Sequence, residues 1–168
     1  MIYAHYVPQV AETAVILSQH LYTPVTWDSR LQGLHLGVLH GLNQLEASQF
    51  FPKDWYRLEM WRQGKLPIYK LNIQNAEPLH HFRQRVESVY QEWISQVHIN
   101  TIIAVLTRST LIMLTNLIKL GKNFNYRDYQ VYDFAPASIT LVELDPSPRL
   151  LLFNSTAHLQ PCLSFETS

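Results

Sequence analysis

Cysteine is all but absent: Cys162 is the only one in 168 residues. A single thiol excludes an internal disulfide and any metal site built from several cysteines, and a cytoplasmic protein is expected. An excess of one charge is missing as well. Thirteen basic residues balance thirteen acidic ones, which argues against nucleic acid or a membrane surface as the partner. No apolar run reaches the roughly 18 residues of a membrane span, and the opening Met1-Ile2-Tyr3-Ala4-His5 is not a signal peptide. Metal-binding spacing is missing too. His35 and His40 flank Gly37 with no third ligand, and the adjacent His80 and His81 would point about 100° apart on a helix, so no metal and no cofactor is expected. Glycine is scarce, five in all, yet three of the five lie between Gly33 and Gly41. Backbone there is expected to turn tightly or to approach a neighbour closely.

What is present is organised around Thr101 to Gly121. The unbroken apolar run Thr101-Ile102-Ile103-Ala104-Val105-Leu106 reads as a strand covered on both faces, and the pattern from Thr107 to Gly121 as the helix behind it. In open α/β sheets ligands sit outside the carboxyl ends of the strands, which places a candidate site at Thr107 to Thr110. Earlier, Met1 to Tyr6 reads as a strand end and Pro8 to Leu21 as a helix with Val10, Ala14, Leu17 and Leu21 on one face. Pro24 to Trp27 reads as a strand, Asp28-Ser29 as a turn, and Leu31 to Asn43 as a glycine loop. Helical spacing recurs from Glu46 to Gly64, with Phe50, Phe51, Trp55, Leu58 and Trp61 toward a core, Pro52 starting the second half, and Arg57 and Arg62 toward water. A long helix is expected from Glu77 to Val97. Two closing strands, Ser138 to Leu144 and Arg149 to Phe153, are joined by the short link Asp145-Pro146-Ser147-Pro148, a hairpin. One domain spanning residues 1–168 suffices, because a chain of this length buries roughly 70% of its unfolded surface. The order of elements predicts an α/β fold in three layers, with a mostly parallel sheet of about five strands and an antiparallel C-terminal edge.

Several stretches in the same order resemble the cofactor-dependent phosphoglycerate mutases of the histidine phosphatase superfamily. His35, Gly37, Leu39, Gly41, Leu42, Asn43 and Glu46 stand in register with that family's glycine loop. Ile2 to Ala14 resembles its Ser-x-Leu-x-Arg-Ala-x-x-Thr-Ala strand and helix, keeping Thr13 and Ala14. Glu77 with Leu79 and Arg85-Val86 resembles its Glu-Ser-Leu helix start, and Ala135-Pro136 to Asp145 its closing strand. The resemblance implies a phosphoglycerate-mutase-like fold lacking the family's first strand, with the two strands flanking that place pairing directly. It also implies a phosphohistidine chemistry whose parts are altered here. The nucleophilic histidine belongs to a turn after the strand that this sequence lacks. The helix arginine falls on Gln9, the loop acid on Gly33, and the second histidine on Thr107 or Arg108. Glu77 alone stands where the family places an acid.

Losing several such parts together removes both the covalent step and the charge stabilisation around phosphorus. The leading expectation is therefore a non-catalytic member acting by binding, whether of a protein partner, a second copy of itself, or a phosphate- or sulfate-like anion. Its candidate pocket residues are Gln9, His35, His40, Glu77, Thr107, Arg108 and Ser109. Arg108 is read as an anion ligand beside a helix N-terminus or as a surface arginine in an ion pair. Glu77 is read as a helix-start carboxylate or as a working acid. The competing expectations are a phosphomonoesterase or other phosphoryl-transfer enzyme with a site rebuilt from Glu77, Arg108, His35 or His40, and a relic without a selected role.

Overall fold

The computed structural model describes residues 1–96, 101–144 and 147–159. Val97, Asp145, Pro146 and Cys162 lie outside them. The chain divides into two compact units, Met1–Val131 and Tyr132–Ser168.

The first unit is built on β1 (Ile2–Ala4), whose three residues are 0%, 3% and 0% exposed. A strand with neighbours on both edges and both faces has no polar side, which is why an apolar run suits it. β2 (Val25–Trp27) lies parallel to it on one edge with Val25 opposite Ile2, and β3 (Ile103–Val105) parallel on the other with Ile103 opposite Ile2. Between β1 and β2 runs α1 (Pro8–Leu21), with Pro8 at its first position, where a missing N–H removes no hydrogen bond. Val10 and Ala14 pack on Ile2 and Ala4 with Leu17 partly buried beside them, whereas Leu21, expected on that face, is exposed. The helix stops there, as Tyr22 turns into the left-handed region with φ 49°.

The helical stretch after the glycine loop is two helices. α2 (Gln44–Phe50) starts in a capping box in which Asn43 and Glu46 each accept the other's backbone N–H, and α3 (Pro52–Arg62) starts at Pro52. Pro52 cannot donate to a preceding turn, so the chain breaks at Phe51. Phe50 ends up 62% exposed rather than in the core, while Leu58 and Trp61 join Leu39, Ala47, Ile68 and Ile73 in a buried cluster. α4 (Leu79–Ser95) buries Phe82, Val86, Val89, Tyr90 and Trp93 at the predicted spacing. α5 (Arg108–Leu120) leaves β3 directly and buries every residue from Ile112 to Leu117. Its buried polar groups are satisfied: the Asn116 side chain donates to the Ile112 and Gln130 carbonyls and accepts the Gln130 N–H, each at 2.9 Å.

In the second unit β4 (Ile139–Glu143) and β5 (Arg149–Ser155) pair antiparallel, as the predicted hairpin requires. The expected sheet of about five strands does not form: the architecture is a three-stranded parallel sheet and a separate two-stranded antiparallel one. The direct pairing of the Ile102–Leu106 and Ser138–Leu144 strands is corrected with it, since β3 takes β1 as its partner and β4 takes β5. Closure was expected because buried unpaired backbone is intolerable. All of β3 is only half-buried, and backbone at such an edge can be hydrated, which removes the penalty that would force the strands together.

Candidate functional site

The glycine loop is stitched to its surroundings through five consecutive residues, Leu31 to His35, and each of these stitches runs to one of two polar clusters. On one side stands Arg85, from the second turn of α4. Its Nε donates to Glu77 Oε1 at 2.7 Å and its Nη2 to Oε2 at 2.8 Å, a bidentate pair. The remaining donors reach the carbonyl oxygens of Arg30 at 2.7 Å, Gln32 at 2.5 Å and Gly33 at 3.0 Å. His35 N–H donates to Glu77 Oε2 at 3.3 Å, and Glu77 N–H donates to the His35 carbonyl at 2.9 Å. Burial by itself would raise the Glu77 carboxyl; the Arg85 hydrogen bonds and charge, with the His35 N–H, outweigh it and hold the carboxyl below its usual range. Glu77 is thus a carboxylate at neutral pH.

Two loop positions explain the glycines. Gly37 has φ +55° and sits against the 74–76 segment, where Val38 N–H donates to Gln74 O and a Cβ on Gly37 would lie 2.0 Å from that oxygen. Gly33 is a matter of space: a Cβ would lie 2.9 Å from Thr107 Oγ1 and 3.1 Å from Ser109 Oγ. The absence of a side chain lets the loop close on the start of α5.

That start is the second cluster. Thr107 is the N-cap of α5 but makes no side-chain cap hydrogen bond; its hydroxyl pairs instead with Thr110 Oγ1 at 3.0 Å. Thr110, fully buried, also pairs with the Leu31 and Gln32 carbonyls at 3.2 and 3.0 Å. Ser109 Oγ accepts the Leu34 N–H at 3.0 Å. In front of these groups lies a pocket of about 220 Å³ lined by Leu34, Leu36, Leu58, Trp61, Arg62, Thr107, Arg108, Ser109, Ile112 and Val131. Of its two cations, Arg62 is tied to Glu59 at 2.9 Å and lies over the Trp55 ring, while Arg108 stands on the first turn of α5.

The candidate residues thus fall into three groups. His35, His40 and Glu77 meet on the Arg85 side, with the two imidazoles stacked at 4.3 Å between centroids and His35 Nδ1 accepting the Gly37 N–H at 3.2 Å. Thr107, Arg108 and Ser109 meet at the pocket. Gln9 joins neither; it is exposed on the first turn of α1, and no described hydrogen bond links its side chain to the others. Arg85 and Trp61 were not anticipated as site residues. A helix face of buried aromatics carries no sign of which ring lines a cavity, and Arg85 lies eight residues from its partner. Among the described residues no group of three histidines, cysteines or carboxylates could hold a metal ion.

The family model of histidine phosphatase superfamily, branch 1, matches residues 7–156. The chain belongs to that superfamily. Solved structures of similar fold include YhfR of Bacillus stearothermophilus, 20% identical with a TM-score of 0.77 over 95% of this chain and 75% of that one. A putative α-ribazole-5′-P phosphatase of Escherichia coli K-12 is 15% identical with a TM-score of 0.70 over 92% of this chain and 72% of its own. The mycobacterial glucosyl-3-phosphoglycerate phosphatase is 19% identical with a TM-score of 0.68 over 94% and 78%, and a second structure of that protein holds inorganic phosphate. No curated protein sequence matches this one. No described helix of this superfamily member is long and apolar enough to cross a membrane.

Proposed function

We propose that this superfamily member binds a small phosphate-like anion at the start of α5 without turning it over. The observation that carries the reading is the state of Glu77. A general acid must hold a proton at the working pH and lie free to reach a leaving oxygen, whereas Glu77 is ionised and both its oxygens are engaged by Arg85 and His35. At the pocket, Arg108 and the uncapped first turn of a helix thirteen residues long supply positive potential and backbone donors. Thr107 and Arg108, where the resemblance places a histidine, supply a hydroxyl and a permanent cation; neither can shuttle a proton at neutral pH. A mycobacterial relative in fold holds phosphate, which agrees with an anion as ligand.

The test is a pair of measurements on the purified chain: hydrolysis of a panel of phosphomonoesters, and phosphate binding by calorimetry, each repeated with Arg108→Ala. Binding that depends on Arg108 without turnover supports the proposal. Turnover above background that disappears in Arg108→Ala would overturn it in favour of a phosphomonoesterase. The feature favouring that second reading is the stacked His35 and His40 pair beside Glu77.

A further inference from the structure

The helix α1 carries little charge for a helix with one face in water. Its fourteen residues include one carboxylate, Glu12, and no lysine or arginine, whereas the eleven residues of α3 include Lys53, Asp54, Arg57, Glu59 and Arg62. The inner face of α1 is taken up by the sheet, since Val10 and Ala14 are buried against Ile2 and Ala4. On the opposite face stand Glu12, Val15, Ile16 and Gln19, all exposed. At about 100° per residue, Glu12 and Gln19 run down the middle of that face, and Val15 and Ile16 flank its centre. The two apolar side chains are 42% and 49% exposed. Single apolar residues scattered on a surface are ordinary. Here a pair stands at the midpoint of the helix with a carboxylate on one side and an amide at the same distance on the other.

We propose that this face docks on the same face of a second copy of the chain, α1 against α1, antiparallel about a twofold axis that passes between Val15 and Ile16. The axis sets Val15 of each copy against Ile16 of the other. Glu12 and Gln19 are equally far from the axis, so each Glu12 carboxylate meets the Gln19 amide of the other copy, an acceptor against a donor. The two Glu12 carboxylates then stand about 10 Å apart along the helices at 1.5 Å per residue, roughly a Debye length at 0.1 M salt, and their repulsion is screened. A strongly charged partner would meet one carboxylate and no other charge on this face, whereas a second copy matches it at each of the four positions. A twofold contact is self-complementary and stops at two chains. The helix is about 21 Å long, and one such crossing falls below the roughly 1,200 Å² of a standard interface. The dimer is therefore weak and exchanges with the monomer.

Sedimentation equilibrium of the intact chain, from micromolar to millimolar concentration, is the experiment. A concentration-dependent mixture of monomer and dimer is expected, with nothing larger. Ile16→Lys is expected to weaken association about tenfold or more. Leu45→Lys, at an exposed leucine of α2, is expected to leave it unchanged. Circular dichroism confirms that each variant is folded. Gln19→Glu sets carboxylate against carboxylate across the axis and is expected to weaken the dimer. Adding Glu12→Gln to it exchanges the two groups and is expected to restore association, a result that reads the register of the contact. A chain that stays monomeric throughout, association that survives Ile16→Lys or falls equally in Leu45→Lys, oligomers larger than a dimer, or a double variant as weak as Gln19→Glu alone would each overturn the proposal.

Discussion

The two polar clusters that hold the glycine loop are built from similar materials and end in opposite states. On the Arg85 side every partner is accounted for: one guanidinium meets one carboxylate and three carbonyl oxygens, and the second carboxylate oxygen also takes a backbone N–H. On the α5 side the hydroxyls of Thr107, Ser109 and Thr110 hold the loop, and Arg108 and a helix start without a side-chain cap border a cavity. A helix start beside a cavity offers backbone donors to an anion, whereas the Arg85 cluster spends its donors on the loop. The carboxylate where the resemblance places an acid is held by Arg85 and His35, and the proposed anion site lies at the helix start.

Substitutions can break that contrast in graded steps. The largest effect is expected from Gly37→Ala, which strikes the loop shared by both clusters. Its φ of +55° and the 2.0 Å approach to Gln74 O combine backbone strain with a clash against backbone, together about 3 kcal/mol or more. Chemical denaturation should show that loss or no cooperative transition at all. Next comes Arg85→Ala, which strands a carboxylate and takes a donor from the Arg30, Gln32 and Gly33 carbonyls. With the two side chains 19% and 17% exposed, the lower end of the range for a broken buried pair applies, about 3 kcal/mol. Anion binding at Arg108 should weaken with it only through loosening of the loop.

A smaller and pH-dependent effect is expected from Glu77→Gln. Because the folded carboxyl sits below its ordinary value of 4.5, it contributes stability above that pH, and the contribution is lost as pH falls through the lower folded value. The wild-type melting temperature should therefore drop as acid is added below about pH 4.5, and the variant should start lower at neutral pH with a shallower acid slope. Identical slopes would mean that Glu77 is not the group responsible. The smallest effect on stability belongs to Arg108→Ala, within about 0.5 kcal/mol for an exposed residue. Its phosphate affinity should nonetheless fall by about tenfold or more. If instead it lowers stability well beyond that figure while the folded protein binds phosphate unchanged, the α5 cluster is the scaffold and the Arg85 cluster the binding site.

Legibility followed the range of the interaction. Pro8 and Pro52 marked helix starts because their chemistry acts on their own turn. Leu21 and Phe50 were misplaced for the complementary reason: each sits at a helix end, where periodicity stops predicting which way a side chain faces. His35, His40 and Glu77 were brought together as one group, and Thr107, Arg108 and Ser109 as another, but Gln9 joined neither. The pairing of β3 with β4 failed as an expectation because a free strand edge does not announce from sequence whether it will be buried or hydrated.

Sequence by itself determined the alternation of strands and helices and the membership in a phosphatase superfamily, since these rest on local pattern and on the order of short motifs, whereas the strand covered on both faces, read at Thr101–Leu106, falls at Ile2–Ala4. Only the tertiary structure decided that Arg85 would capture Glu77, that the Leu31–Gly33 backbone would fold over the start of α5, and that the Trp61 N–H would be left without an acceptor among the described residues. Each of those outcomes depends on groups distant in the chain competing for the same donors and acceptors, and that competition is resolved only when the chain packs.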